Sequence, residues 1–315
     1  MRIAVLDDWQ RVALSIAPWE RLGDEVEVTV FANSLTSEAE LVSALGAYDV
    51  IVAMRERTPF PAELLESLPS LKLLITTGMH NAAIDVAAAT RNGITVCGTR
   101  STQASVTELT WALMLSAARN LAAEIQGVRC GGWQHTIGVE LEGSTLGLLG
   151  LGRTGKRMLP IARAFGMRVI AWSKNLEPRV ALEHGAEPVT KDELFRESDY
   201  LSIHLVLSDR TRGLVGDAEL GMMKKSAYLI NTSRGPIVSE DALLSAVTGG
   251  RIRGAALDVF DIEPLPKDHP LRTTEAVTVT PHIGYVTEEQ YRLFYSDAID
   301  DILGFASGRP ERVLN

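Results

Sequence analysis

Short runs of aliphatic and β-branched residues recur along the chain, separated by stretches with helical spacing of apolar positions. In the first hundred residues the runs fall at Ile3–Leu6, Val26–Phe31, Val50–Met54, Leu71–Thr77 and Ile94–Cys97. Helix-like stretches, including Ser37–Leu45 and Pro61–Leu68, lie between them. The rhythm returns at Thr145–Leu149, Arg168–Trp172, Tyr200–Leu205, Ala227–Asn231, Gly254–Val259 and Val277–Thr280. Near-continuous apolar strands alternating with helices predict βαβ units and parallel sheets. The fold class expected is α/β, with two parallel-sheet lobes.

A long apolar helix, about Gln103 to Gln126, separates the two series. Ser101 or Thr102 would cap it, and Glu108 would sit in its early turns, where a negative charge suits the helix dipole. A second helix, about Thr287 to Ala306, follows the last strand and would return to the first lobe. The expected domains are residues 1–99 with 287–315, discontinuous in sequence, and residues 100–286. Glu263-Pro264-Leu265-Pro266 reads as a loop, being too short for a linker.

Composition narrows the function classes. The chain has 315 residues, 31 basic and 40 acidic, for a formal charge of −9. A net acidic surface argues against nucleic acid as partner. No apolar run approaches the roughly 18 residues of a membrane span; the best, Leu109 to Ala118, contains Thr110 and Ser116. Asp7 and Asp8 interrupt the apolar start, so a signal peptide is not expected. Cys97 and Cys130 form neither a disulfide framework nor a metal-ligand spacing, and read as free thiols in a reducing cytoplasm with no metal site.

The chemistry begins at Gly150-x-Gly152-x-x-Gly155. Glycine triplets of this kind arise by chance, but here a strand runs in and a helix, Lys156–Phe165, runs out. The glycines permit a tight turn and close backbone approach, and the helix N-terminus offers free N–H groups to a pyrophosphate. NAD-specific sites place an acid about 20 residues on, to hold the ribose 2′-hydroxyl. This chain has Ser173-Lys174-Asn175 there, and the nearest acid is Glu177 in the following loop. A hydroxyl and an ammonium suit a 2′-phosphate, so NADP is expected as the preferred cofactor, with NAD also accepted.

Three ionisable residues stand just past successive strands: Arg234, Glu263 and His282. In doubly wound sheets ligands lie beyond the carboxyl ends of the strands, so residues distant in sequence converge there. Reduction of a 2-oxo acid creates an alkoxide that needs a proton. Imidazole, which ordinarily titrates at about pH 6.5, is the natural donor, and this points to His282. Glu263 would fix the ring tautomer and stabilise imidazolium. Arg234 can fork onto a carboxylate and polarise the carbonyl.

These pieces occur in order with Gly132-Trp133, Leu141-Glu142-Gly143-Ser144-Thr145-Leu146-Gly147, His204, Asn231-Thr232-Ser233-Arg234-Gly235, Ala256-Leu257-Asp258-Val259-Phe260 and Thr280-Pro281-His282-Ile283-Gly284. In this the chain resembles the D-isomer-specific 2-hydroxyacid dehydrogenase family over nearly all its length. The resemblance implies two doubly wound, flavodoxin- or Rossmann-like lobes with a cofactor cleft between them, residues 1–99 with 287–315 carrying the substrate and residues 100–286 the dinucleotide. It also implies a homodimer built around the linking helix, and catalytic roles for Arg234, Glu263 and His282. It implies pyrophosphate contacts through the backbone of Arg153 and Thr154. Leu205, Val206, Thr211, Thr232, Ser233 and Gly284 would lie along the cofactor, and Asp258 would hold the nicotinamide carboxamide.

The chain departs from the family in the loop Gly78-Met79-His80-Asn81-Ala82-Ala83-Ile84-Asp85, where a Gly-Val-Gly-like turn usually grips the substrate carboxylate. Gly78, Met79 and His80 are therefore the expected substrate contacts. Tyr285, a bulky ring close to the proposed acid, stands where a small residue is usual and is expected, with Arg55 and Arg234, to contact the substrate as well; Val206 stands where proline is frequent. Arg55 would favour an anionic substrate, or else pair with Glu56. Trp133 and His135 would line the site from a partner subunit or belong to the dimer interface.

The expected partner is a small carboxylate, glyoxylate- or hydroxypyruvate-like or somewhat larger. Two alternatives share the scaffold: a 2-imino acid reductase, and a non-catalytic dinucleotide sensor.

Overall fold

A computed structural model describes residues 1–35 and 37–315. The chain divides into two compact units: Met1–Thr102 with Val286–Asn315, and Gln103–Tyr285.

The first unit holds a five-stranded sheet built from β1 (Arg2–Val5), β2 (Glu27–Val30), β3 (Val50–Ala53), β4 (Leu73–Thr76) and β5 (Thr95–Gly98). The order is β2-β1-β3-β4-β5, with every pair parallel. Strands β3 (Val-Ile-Val-Ala) and β4 (Leu-Leu-Ile-Thr) are buried at every position, as a parallel sheet covered on both faces requires. The helix Glu38–Leu45 starts on a capping box, in which Ser37 and Glu40 satisfy each other's backbone N–H groups.

The helix Glu288–Ala306 belongs to this unit. Thr287 caps it by accepting from the Gln290 N–H, and Tyr291, Phe294, Tyr295, Ile299 and Ile302 are buried along it. The last residues pair with the edge strand β5 in antiparallel fashion: Gly98 N–H donates to Arg312 O, and Leu314 N–H to Val96 O. The exposed polar edge of β5 is thereby covered.

The second unit holds seven parallel strands: β6 (Thr145–Leu149), β7 (Arg168–Trp172), β8 (Glu187–Pro188), β9 (Tyr200–Ile203), β10 (Tyr228–Asn231), β11 (Gly254–Leu257) and β12 (Val277–Val279). Their order is β12-β11-β10-β9-β6-β7-β8. Alternate residues feed two cores on opposite faces. Leu149, Ile170, Leu201, Ile203, Leu229 and Leu257 face one, and Leu148, Val169, Ala171, Tyr200, Ile230 and Ala256 the other.

Two sequence expectations need correction. The linking segment is not one helix to Gln126 but two, Ala104–Ala118 and Leu121–Arg129. Asn120 breaks it with φ +50°, a left-handed conformation asparagine tolerates, and Val139 N–H donates to Ala118 O at the exposed helix end. The first helix is packed by Trp111, Met114 and Ala118, whereas no residue of the second is buried. The expected caps are also wrong. Gln103 occupies the N-cap without a side-chain bond, while the Thr102 N–H and hydroxyl donate to Gln290 Oε1. Both cysteines are free thiols, Cys97 buried and Cys130 exposed. Among the described residues no helix is long and apolar enough to cross a membrane.

Candidate active site

In the second unit the carboxyl ends of β6, β7, β9, β10, β11 and β12 carry nearly all the residues singled out above. Strand β6 is fully buried and runs into Gly150 at φ +108°, whose N–H donates to Trp172 O at the end of β7. A Cβ on Gly150 would stand 2.7 Å from His204 O, and one on Gly155 2.3 Å from Gly150 O. Both positions require glycine. A Cβ on Gly152 would meet nothing within 4 Å, so this glycine faces open space. Gly152 is also the N-cap of the helix Arg153–Ala164, which has no side-chain cap bond and no acid in its first turn. A bare N-terminus beside open space fits a pyrophosphate.

At the end of β7, Ser173 is half-buried, Lys174 is exposed, and Glu177 stands at the N-cap position of the helix Pro178–His184 without a side-chain bond to it. No carboxylate intervenes between Trp172 and Glu177. At the end of β9, Leu205 O accepts the Ser233 hydroxyl and Val206 O the Thr211 hydroxyl, which ties these loops together. Thr232 shares a buried 2.7 Å hydroxyl contact with Thr110 of the linking helix.

Side chain to backbone hydrogen bonds pin the loops that carry the three ionisable residues. Asn231, at the end of β10, donates to Arg234 O and accepts from the Ser233 N–H, closing a tight turn. Arg234 donates to Ser233 O at 2.8 Å. A Cβ on Gly235 would lie 2.1 Å from the Phe260 carbonyl carbon, so this turn packs directly on the loop carrying Glu263. Glu263 Oε1 accepts the Phe260 N–H at 2.9 Å, and Oε2 lies 2.5 Å from His282 Nδ1. The Glu263–Pro264 peptide is cis. The carboxylate thus holds one ring nitrogen and leaves Nε2 as the outward nitrogen.

His282 has a left-handed backbone, φ +53°. Asp258, only 1% exposed, stabilises this conformation. Its Oδ1 accepts the Thr280 hydroxyl at 2.6 Å and the Ile283 N–H at 2.8 Å, and its Oδ2 accepts the Gly284 N–H at 2.8 Å. Burial pushes the Asp258 carboxyl up from its ordinary value, while these donors pull it back down. Both oxygens are turned onto the loop that carries His282, a supporting task the motif alone did not suggest. Tyr285 is 8% exposed and packs on the His282 ring. His204 shares a 2.9 Å hydrogen bond with Ser202, and burial lowers its pKa to about 4, so its ring is neutral near pH 7.

The first unit gathers the expected substrate contacts. Arg55 follows β3 at φ +53°, and its N–H donates to Thr77 Oγ1. Its guanidinium reaches Thr77 O at 3.0 Å and Glu56 at 3.5 Å, and crosses so close to Gly78 that a Cβ there would be 1.9 Å from Nη1. Asn81, which sequence reasoning missed, locks the turn by donating to Arg55 O and Thr76 Oγ1. The Gly78 N–H is committed to Thr99 Oγ1. The Met79 and His80 N–H groups have no partner among the described residues, and both side chains are exposed. Among the described residues no cluster of histidine, cysteine and acidic side chains could hold a metal ion.

Residues 111–284 match the family model for the D-isomer specific 2-hydroxyacid dehydrogenase, NAD binding domain. A glyoxylate reductase from Aeropyrum pernix is 42% identical over 264 residues, covering 80% of this chain and 79% of that protein. A D-3-phosphoglycerate dehydrogenase from Methanocaldococcus jannaschii is 40% identical over 293 residues, 92% of this chain; the match spans 54% of that relative's length. The crystal structure of a phosphoglycerate oxidoreductase from Vibrio cholerae superposes with a TM-score of 0.93 at 37% identity, covering 98% of this chain and 99% of that one. The chain belongs to the D-isomer-specific 2-hydroxyacid dehydrogenase family, oxidoreductases acting on CH–OH donors, and carries that family's NAD-binding domain.

Proposed function

We propose that the protein reduces a small 2-oxo acid to the D-2-hydroxy acid and prefers NADPH. The observation that carries this reading is the 2.5 Å contact between Glu263 Oε2 and His282 Nδ1. With Nδ1 engaged, Nε2 is the nitrogen that delivers a proton to the nascent alkoxide, and the carboxylate stabilises the imidazolium form before transfer. Arg234, whose turn is pinned by Asn231, binds the substrate carboxylate and polarises the carbonyl. When bound, the dinucleotide supplies the hydride. Gly150, Gly152 and Gly155 let its pyrophosphate approach the backbone, and the Arg153 and Thr154 N–H groups face it at the helix start.

The preference for NADPH rests on Ser173 and Lys174 at the end of β7, where an exposed ammonium and no acid would face the ribose 2′-phosphate. In the first unit, the N–H groups of Met79 and His80 suit a carboxylate, and Arg55 adds a cation beside Gly78 that favours an anionic substrate. The glyoxylate reductase among the relatives supports a substrate of that size. The helix Leu121–Arg129 exposes Leu121, Ile125 and Val128 at i, i+4 and i+7, with Trp133 and Ile137 exposed beyond it. This unpartnered apolar face supports a homodimer.

Initial rates with glyoxylate, hydroxypyruvate and larger 2-oxo and 2-imino acids, each with NADPH and NADH, test the reading. NADPH with a small oxo acid is expected to give the highest kcat/KM. Arg234→Ala and His282→Ala are expected to abolish turnover and leave dinucleotide binding intact. Faster turnover with NADH would overturn the cofactor preference, and imino acids outpacing oxo acids would overturn the substrate class.

A further inference from the structure

We propose that Tyr285 is a positioning residue for His282, a buried aromatic wall that holds the imidazole plane in the orientation from which Nε2 transfers its proton. This deepens the reading of His282 as the acid and rests on it. The loop bonds to Asp258 fix the His282 backbone in its left-handed conformation, but they leave the side-chain torsions free. The Glu263 contact fixes Nδ1 alone. A ring held at one atom still rocks about the line through that bond, and rocking sweeps Nε2, on the far side of the ring, away from its target.

Tyr285 removes that freedom. Its ring centroid lies 5.5 Å from that of His282 with an interplanar angle of 76°, the T-shaped arrangement favoured between aromatic rings. The wall is itself fixed. Tyr285 is 8% exposed and directly follows Gly284, whose N–H is bonded to Asp258. A Cβ on Gly284 would lie 3.2 Å from Asp258 Oδ2, so the chain here is drawn tight against the buried carboxylate. Asp258, Glu263 and Tyr285 thus hold the backbone, one ring atom and the ring plane respectively.

The test compares Tyr285→Leu with Tyr285→Phe. Leucine fills space without a ring. It is expected to lower kcat for oxo-acid reduction about 3- to 10-fold, the size of an aromatic pair converted to rate, with KM values for both substrates within about twofold. The pH profile of kcat is expected to change shape in the leucine variant, and phenylalanine is expected to restore most of the loss. Nitrogen NMR of the histidine rings, assigned with His282→Gln, reads the ring independently of turnover. In the leucine variant the His282 ring nitrogens are expected to keep the tautomer that Glu263 sets, while their resonances shift and broaden as the ring plane is released.

Three results would overturn the proposal: a leucine variant with unchanged kcat and ring spectrum, a loss confined to KM, or phenylalanine as damaging as leucine. The second result would make Tyr285 a substrate wall, and the third would assign the effect to its hydroxyl. A wild-type protein that reduces no oxo acid would refute the reductase reading alone, because the ring spectra still judge Tyr285.

Discussion

Replacing Glu263 with glutamine tests the centre of the mechanism. The carboxylate serves two donors: Oε1 takes the Phe260 N–H at 2.9 Å and Oε2 takes His282 Nδ1 at 2.5 Å. Glutamine can keep one of these with its carbonyl oxygen but then turns an NH2 toward the other donor. If the backbone bond survives, His282 must present Nδ1 as an acceptor, and the imidazolium loses its counterion. A hydrogen bond to a charged group is worth about 1.5–3 kcal/mol, which corresponds to roughly 10- to 150-fold in rate. The two side chains are 24% and 33% exposed, so solvent screens the pair and the lower part of that range applies, roughly 10- to 50-fold.

The assay is the initial rate of NADPH oxidation with the best oxo acid, from pH 5 to 9. Glutamine is expected to cut kcat by that factor. Dinucleotide affinity is expected to stay within about twofold. Glu263→Asp, which keeps the charge on a shorter arm, is expected to recover part of the rate. A glutamine variant within twofold of wild type across the whole range, or one whose loss lies in dinucleotide binding, would refute the acid–base reading.

Gly155→Ala forces a Cβ to within 2.3 Å of Gly150 O, so the glycine loop must open; calorimetric titration is expected to show dinucleotide affinity reduced at least tenfold, and an unchanged affinity would remove this loop from the binding site. Burial raises Asp301 to about 7 despite Arg312 nearby, so the folded state binds this proton more tightly than the unfolded chain, whose carboxyl titrates near 3.8. Its stabilising contribution is complete below about pH 4 and is lost as pH rises through 7. Asp301→Asn is therefore expected to gain melting temperature relative to wild type at pH 8 and not at pH 4. His204 has the opposite sign: its folded pKa is held down to about 4, so its contribution is complete above about 6.5 and is lost as pH falls through 4. His204→Gln is expected to lose less stability than wild type between pH 6.5 and 4, and equal losses would mean that the ring is not buried in the folded protein.

The parallel sheets were legible because a strand buried on both faces has little choice of residue. Val50–Ala53 and Leu73–Thr76 are apolar at nearly every position, and the limits expected from their apolar runs fall within two residues of the strands observed. Two features escaped. Glu187–Pro188 is a two-residue edge strand, too short to carry a pattern. The linking helix breaks at Asn120, where periodicity is a poor guide. The apolar spacing continues through Leu121, Ile125 and Val128, but those side chains are exposed. Helical spacing shows that a face is apolar and is silent on what covers it, so one buried helix and one exposed helix read as a single run.

Chemistry was more legible than support, for a physical reason. Proton transfer at neutral pH and carboxylate recognition admit few side chains, so His282, Glu263 and Arg234 stand out by type at three strand ends. The residues that aim them act through generic contacts that leave no comparable mark. Asn231, Asp258 and Asn81 each satisfy backbone groups at a turn carrying an irregular or left-handed residue, and any short polar side chain in a loop could have that task. The signal that could have found Asp258 is its setting. A carboxylate directly after Ala255-Ala256-Leu257 must end a buried strand, and a buried acid needs donors, which only the neighbouring loop at Thr280–Gly284 could supply. A buried acid beside a strand end is therefore first a question about which loop it holds, and only then about which ligand it meets.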